Sequence, residues 1–305
     1  DASGGEAEAE GERERGWWLL EEVDEALLAE AEQAAATASL APASRAAGAA
    51  GYGRPWQYTV GLVGKPSAGK STFFNAACQL GPDRAAPMAA HPFTTIEPNV
   101  SPGWFAAPCP AEGHGLVAAP EYGAAPGGRR RLPLLVKDVA GLVPGAYQGQ
   151  GRGNAFLNDL VDADALVHVI DASGRTDRRG VDQGEGGKGA GDPLDDVGWV
   201  RRELHLWVFA NARSKWDSVR RRARTVGHES REAVLERLAG LFSGYQITKP
   251  MVFEGLAAAG LPPHDAVDPA RGVLAWGEGH LHRLVAALLR IRFPVVLALN
   301  KADHP

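Results

Sequence analysis

A lysine and a serine, Lys70 and Ser71, close the string Gly64-Lys65-Pro66-Ser67-Ala68-Gly69-Lys70-Ser71. An apolar run, Tyr58 to Val63, leads directly into it, and a helix-forming stretch, Thr72 to Ala77, follows. Glycines at both ends of such a string let the backbone curl until successive N–H groups and the next helix N-terminus converge on one point, where they bind phosphate oxygens. A lysine at this spacing reaches the outer phosphates of a nucleoside triphosphate, and the hydroxyl beside it ligates Mg2+. The cradle is therefore expected from Gly64, Lys65, Pro66, Ser67, Ala68, Gly69, Lys70, Ser71 and Thr72.

Further along, Asp138-Val139-Ala140-Gly141 ends the apolar run Leu132 to Val136. An acid at a strand end can hold Mg2+ through water, and a glycine three residues on can offer its N–H to a γ-phosphate unobstructed. Gly145, Gly149, Gly151 and Gly153 then supply the backbone freedom of a loop that orders with that phosphate. Between these two motifs, Pro92-Phe93-Thr94-Thr95 is placed to bring a threonine hydroxyl to Mg2+; Thr95 is the choice and Thr94 the alternative. The metal set is thus Ser71, Thr95 and Asp138, and the groups acting on the transferred phosphoryl are Lys70, Thr95 and Gly141. Near the end, the apolar run Pro294 to Leu299 leads into Asn300-Lys301-Ala302-Asp303. A carboxylate such as Asp303 accepts two hydrogen bonds from the N1–H and exocyclic amine of guanine, a pair that adenine lacks.

These residues need a scaffold that delivers all of them to one edge. From Tyr58 onward, short apolar runs alternate with helical segments, the pattern of a mostly parallel sheet with crossover helices. Strands are expected near 58–63, 99–105, 132–138, 165–171 and 294–300. After Gly174 a Gly-rich charged loop leads into helical stripes: Val197, Val200, Leu204 and Val208; Val234, Leu235, Leu238 and Phe242; Leu281, Leu284, Val285 and Leu288. Trp17, Leu20, Val23, Leu27 and Ala31 mark one helix in an acidic extension. The expected organisation is an extension over 1–55, a P-loop G domain of α/β class over 56–173 plus 293–305, and an α-helical insertion over 174–292.

Composition agrees with a globular chain: 305 residues, 45% hydrophobic, with 38 Gly and 21 Pro pointing to many loops. No apolar run is long enough to span a bilayer and the acidic start lacks a secretory signal's features, so no membrane association is expected and the cytoplasm is the expected location. Cys78 and Cys109 are too few for a disulfide framework or a thiolate zinc site and are expected as reduced thiols. Residues 1–32 hold 12 acids and two arginines, which leaves the remainder mildly basic. The arginines at 220, 221, 222 and 224 fit a solvated helix face at least as well as an RNA contact, and no direct DNA binding is expected.

The four motifs in this order, with Pro92-Phe93-Thr94-Thr95-Ile96-Glu97-Pro98-Asn99 and Asp138-Val139-Ala140-Gly141-Leu142-Val143-Pro144-Gly145-Ala146, resemble the YchF branch of the Obg family of GTPases. The likeness extends through Gly153-Asn154-Ala155-Phe156-Leu157, His168-Val169-Ile170-Asp171-Ala172-Ser173-Gly174 and Gly191-Asp192-Pro193, and is greatest to the archaeal type. The resemblance implies a G domain with a helical insertion, Mg2+-dependent GTP hydrolysis, and association with ribosomes or translation factors. It also implies a further strand and helix after the guanine motif and a C-terminal TGS-type domain. Neither follows Asp303, so a C-terminally truncated chain whose sheet lacks an edge strand is expected.

Four features bear on mechanism. Members that prefer ATP carry Glu where this chain has Asp303, so GTP is favoured. Ser67 stands where the family usually has an Asn that in some relatives coordinates K+, which argues against potassium dependence. Leu142 occupies the position of the water-orienting Gln of Ras-like enzymes, a substitution the family shares, and an apolar side chain cannot polarise water. The catalytic His credited to bacterial members has no counterpart in residues 174–192; His91 is weighed as a base, and His168 is read as a core residue. The expected activity is slow GTP hydrolysis through electrostatic positioning, with a non-hydrolysing nucleotide sensor and an ATPase as the alternatives.

Overall fold

The computed structural model describes residues 58–86, 98–116, 123–125, 127–149, 154–184, 191–226, 230–261 and 269–303, together with Ala29 and Gln33. The expected contributions of His91, Thr94, Thr95, Gly151 and Gly153 lie outside these residues, as does nearly all of the N-terminal helix.

Six strands are described: β1 (Tyr58–Val63), β2 (Asn99–Pro108), β3 (Ala124–Ala125), β4 (Arg129–Asp138), β5 (Ala165–Asp171) and β6 (Val295–Asn300). They form one sheet in the order β2-β4-β1-β5-β6, with β3 beside β4. The pairs β1–β4, β1–β5 and β5–β6 are parallel, while β2 and β3 run antiparallel to β4. The helices are α1 (Lys70–Ala77), α2 (Pro110–Gly113), α3 (Asn154–Asp159), α4 (Pro193–Val226), α5 (Arg231–Leu241), α6 (Lys249–Ala258), α7 (Pro269–Leu274) and α8 (Glu278–Arg292). This is an α/β P-loop architecture with an additional helical region.

The parallel register brings the chemistry to one edge. In β1, burial rises along the strand until Gly61, Leu62 and Val63 are enclosed between neighbours on both sides. β1, β4 and β5 end at Val63, Asp138 and Asp171, and Asp171 stands opposite Asn300 of β6. The carboxyl ends of parallel strands are where open α/β sheets bind ligands. Under the sheet, Leu62, Phe74, Cys78, Ala86 and Val136 form a buried cluster. Arg292, 3% exposed, fastens the approach to β6: Nε donates to Tyr245 O at 2.8 Å, Nη1 to Ala163 O at 2.6 Å, and Nη2 to Val161 O.

The described residues divide into two compact units. One holds the sheet with residues up to Ala210, Gly244–Gln246 and everything from Arg292 on; the other holds Asn211–Ser243 and Ile247–Ile291. The division expected at residue 174 therefore differs from the compact one, which keeps 174–210 with the sheet. The physical reason is polar: Asp196 and Glu203 of α4 bind the phosphate-side loops, as described below. In the helical unit, Ser230 caps α5 by accepting from the Ala233 N–H at 3.2 Å. α6 meets α8 closely at Gly255, where an added Cβ would lie 2.8 Å from Leu288. Trp216 and Trp276 stack at 5.6 Å and are buried packing residues, as are Trp199 and Trp207 of the other unit.

Candidate nucleotide site

The loop from Gly64 to Gly69 is shaped by two glycines that nothing else could replace. At Gly64, φ is 146° and a Cβ would come within 2.3 Å of the Val169 carbonyl. At Gly69, φ is 95° and a Cβ would fall 2.0 Å from the Asn300 side-chain nitrogen. Ser67 also holds a positive φ, 59°, and its buried hydroxyl has no hydrogen-bond partner. Helix α1 begins at Lys70 with neither a side-chain cap nor an acid in its first turn, which leaves its N-terminal N–H groups and positive dipole end available to an anion.

Lys70 is buried and donates to the carbonyls of Gly64 at 3.1 Å and Lys65 at 2.8 Å. Burial lowers its pKa to about 8, against an opposing pull from the Asp138 carboxylate. Asp138 is fully buried: Oδ2 accepts from the Ser71 hydroxyl at 2.7 Å, while Oδ1 has no partner. Burial raises the Asp138 pKa, opposed by Ser71, by the charge of Lys70 and by Asn99. A part-buried hydroxyl–carboxylate pair with one orphaned oxygen fits a hard cation: Mg2+ takes one or two protein oxygens and completes its octahedron with phosphate oxygens and water. Gly141 sits directly against Pro66, where a Cβ would lie 2.6 Å from the proline ring, and the Leu142 N–H donates to Gly64 O at 3.1 Å.

From the other side, Asn300 donates to Ala68 O at 2.9 Å, joining the end of β6 to the phosphate loop. Lys301, with φ 57°, donates to Asp171 Oδ2 at 2.9 Å, and Asp171 also accepts from Ser173 and Thr176 at 2.6 Å each. Burial pushes the Asp171 pKa up, yet the three hydrogen bonds and the Lys301 charge outweigh it and hold the carboxyl below its ordinary value. Asp303 is described and exposed. Thus Gly64–Thr72, Asp138, Gly141, Asn300 and Lys301 are brought to one strand-end edge. His168 is 3% exposed, and burial, then Lys70 and Arg201, depress its pKa to about 4, so it is neutral at physiological pH.

Residues without a motif complete the arrangement. Lys65, 1% exposed, donates to Thr176 O at 2.7 Å and lies 2.8 Å from Asp196 Oδ2, an ion pair without the alignment of a directed hydrogen bond. Glu203 accepts the backbone N–H groups of Gly145 at 2.7 Å and Tyr147 at 3.2 Å. The partners of Asp196 and Glu203 lie far away in sequence, so no local spacing marks either acid. Only the position of Asp196 in the first turn of α4 was a visible sign, and that reads equally as a helix-dipole acid.

A phosphate loop at the end of β1, an acid at the end of β4 and an asparagine from β6 on one parallel edge define a P-loop GTPase domain. Comparison with known proteins agrees: a family model described as 50S ribosome-binding GTPase matches residues 59–185. The chain is 39% identical over 250 residues to a GTP-binding protein of Schizosaccharomyces pombe, covering 81% of this chain and 56% of that protein. It is 36% identical over 246 residues to a GTP-binding protein of Methanocaldococcus jannaschii, with the same coverage of each. It is 30% identical over 201 residues to the ribosome-binding ATPase YchF of Bacillus subtilis, covering 63% of this chain and 48% of that one. Among solved structures, a GTP-binding protein from Pyrococcus horikoshii superposes with a TM-score of 0.58 at 27% identity, covering 80% of this chain and 57% of that one. These findings support a GTP-binding protein of the YchF/Obg type, and the chain spans about half the length of the relatives it matches.

Proposed function

We propose that the chain binds GTP with Mg2+ and hydrolyses it to GDP and phosphate. The observation that carries this reading is the convergence of Lys70, the Ser71–Asp138 pair and Gly141 on one cradle to which Asn300 is tied directly. In this reading the amides of residues 64–72 and Lys70 bind the β- and γ-phosphates, and the Gly141 N–H takes a γ-oxygen. Asn300, Lys301 and Asp303 select guanine. Ser71 and Asp138, with Thr95, would hold Mg2+, which neutralises phosphate charge when bound. Water attacks the γ-phosphorus, the bond to the bridging oxygen breaks towards GDP, and no side chain forms a covalent bond. Leu142 is 1% exposed and apolar, so catalysis rests on position and charge rather than on a water-orienting amide.

That same leucine favours a second reading, a nucleotide sensor with negligible turnover. Phosphate release per enzyme with GTP and with ATP, for the wild type and Lys70→Ala, tests both. Release with GTP, lost in Lys70→Ala, is expected. Binding without release supports the sensor, and equal release with ATP overturns guanine selection. The family model's description and the name of the Bacillus relative support a ribosomal partner, so the switch is proposed to act in translation, in the cytoplasm. Among the described residues no helix is long and apolar enough to cross a membrane.

A further inference from the structure

Two acids of α4 lie seven residues apart, two helical turns, and so share a face. Each grips a different phosphate-side loop. Asp196, 2% exposed, holds Lys65 of the phosphate loop through Oδ2 and accepts the Trp199 indole N–H at 2.9 Å through Oδ1. Glu203, 6% exposed, fills a nest made by the segment after Gly141: Gly145 adopts φ 82°, a short 3-10 helix covers Ala146–Gln148, and the successive N–H groups of Gly145, Ala146 and Tyr147 turn towards one carboxylate. Consecutive N–H groups in this conformation form an anion-binding concavity. The third side of the triangle is the Leu142 N–H on Gly64 O, with Gly141 seated on Pro66. Phosphate loop, glycine segment and α4 are therefore joined pairwise by direct contacts.

We propose that Glu203 is a positioning residue, a latch that fixes the Gly141–Gln148 segment against the phosphate loop so that α4 registers the γ-phosphate through this segment. This rests on reading the site as one that binds and hydrolyses GTP. Glu203 touches no reacting atom; it acts by ordering the backbone that carries the Gly141 N–H. Burial pushes its pKa up, and the N–H donors of the nest oppose that shift by favouring the carboxylate. A side chain that served packing alone would do better without polar atoms, whereas this carboxylate ties the Gly145 and Tyr147 N–H groups to one point on α4.

The test uses the full chain and Glu203→Gln, which keeps size and one acceptor but loses the charge. Amide hydrogen exchange of the peptide spanning 141–149 is followed without nucleotide, with GDP and with a non-hydrolysable GTP analogue, beside GDP affinity and steady-state GTP hydrolysis. In the wild type the GTP analogue should add protection over GDP at residues 145–148, and in Glu203→Gln this increment should vanish. The variant's kcat should fall about tenfold, as for one charge-assisted hydrogen bond, with KM and GDP affinity within about twofold. Glu203→Asp, which keeps the charge on a shorter arm, should recover part of the increment, and carries the measurement should the glutamine variant not fold. An increment identical in all three proteins, or GDP affinity falling in step with kcat, overturns the latch. Absence of GTP turnover in the wild type together with a Glu203-dependent increment sinks the hydrolytic reading and leaves the latch standing.

Discussion

The two ends of the proposed nucleotide site are built differently. On the phosphate side Lys65, Lys70, Asp138, Asp196 and Glu203 are all buried, and each has a named partner on another segment or in the loop itself. On the base side Asn300 and Lys301 are half-buried, Asp303 is exposed, and β6 shows solvent its apolar residues, with Val296 at 64% and Leu299 at 65%. The phosphate side is thus cross-linked by its own side chains, while the base side holds its residues by one asparagine bond to the phosphate loop and one lysine bond to Asp171. Preorganised charge suits a reaction at the γ-phosphate, where donors must not reorganise during transfer. Selection of a base needs only that a wrong partner leave an acceptor unpaired.

The largest expected effect breaks the phosphate side. Lys70→Ala should weaken GTP binding by about 100-fold or more, since a charge-assisted bond to phosphate is worth up to ~3 kcal/mol. Titration with a fluorescent GDP or GTP analogue checks this, and near wild-type affinity would remove the proposed cradle. Next, Asp303→Asn should cost roughly 100-fold in preference for guanine over xanthine nucleotides, because the amide offers a donor to the 2-oxo group in place of an acceptor for N1–H and the amine. Competition between GDP and XDP reads this out. Unchanged preference would mean that the exposed Asp303 does not reach the base.

How far the two sides were legible in sequence follows the same contrast. The phosphate loop, Asp138 with Gly141, and the Asn300 motif were visible because each is contiguous, and all but two of the expected strand boundaries fell within a residue or so of the observed ones; β2 and β4 run further, Asn99–Pro108 and Arg129–Asp138, because they pair along their whole length as an antiparallel ladder. The residues that tie motifs together were not visible. Lys65 was expected only as part of the phosphate cradle, because its partner Asp196 lies 131 positions on. Arg292 carried no signal in the sequence, yet it satisfies three carbonyls. Helical periodicity in 197–208 was legible, but which body a helix joins is decided by contacts such as Glu203 with Gly145 that no period encodes.

Arg292 offers a third, intermediate test, one that sharpens the contrast without touching the phosphate loop. Arg292→Leu leaves the carbonyls of Tyr245, Ala163 and Val161 without this donor, at a cost on the order of 3 kcal/mol in stability. Denaturant unfolding measures it. Because Arg292 immediately precedes the segment leading to β6, guanine preference should suffer before Mg2+ dependence does. The reverse order would mean that β6 is not the weaker side.

The smallest effect concerns pH. In the nucleotide-free protein burial brings Lys70 to about 8, so its ammonium begins to lose its proton just above neutrality. Bound phosphates stabilise the charged form and raise that value, so binding above pH 8 requires the lysine to take up a proton. GDP and GTP affinity should therefore be flat with respect to Lys70 from pH 6 to about 7.5 and then weaken, approaching tenfold per pH unit above pH 8. Stability without nucleotide should move the opposite way. A lysine whose folded pKa lies below its unfolded value binds fewer protons when folded between about 8 and 10.5, so the lysine's contribution to stability rises with pH across that window. Calorimetric titrations at pH 7.0, 8.0 and 9.0 follow this, and because the guanine N1–H itself ionises in the alkaline range, a ligand without a base is measured beside GDP. Inorganic pyrophosphate, which has no base, should show the same weakening above pH 8 as GDP if Lys70 is its source. A pyrophosphate affinity that stays constant to pH 9 while GDP affinity falls would move the effect to the base and leave Lys70 charged throughout.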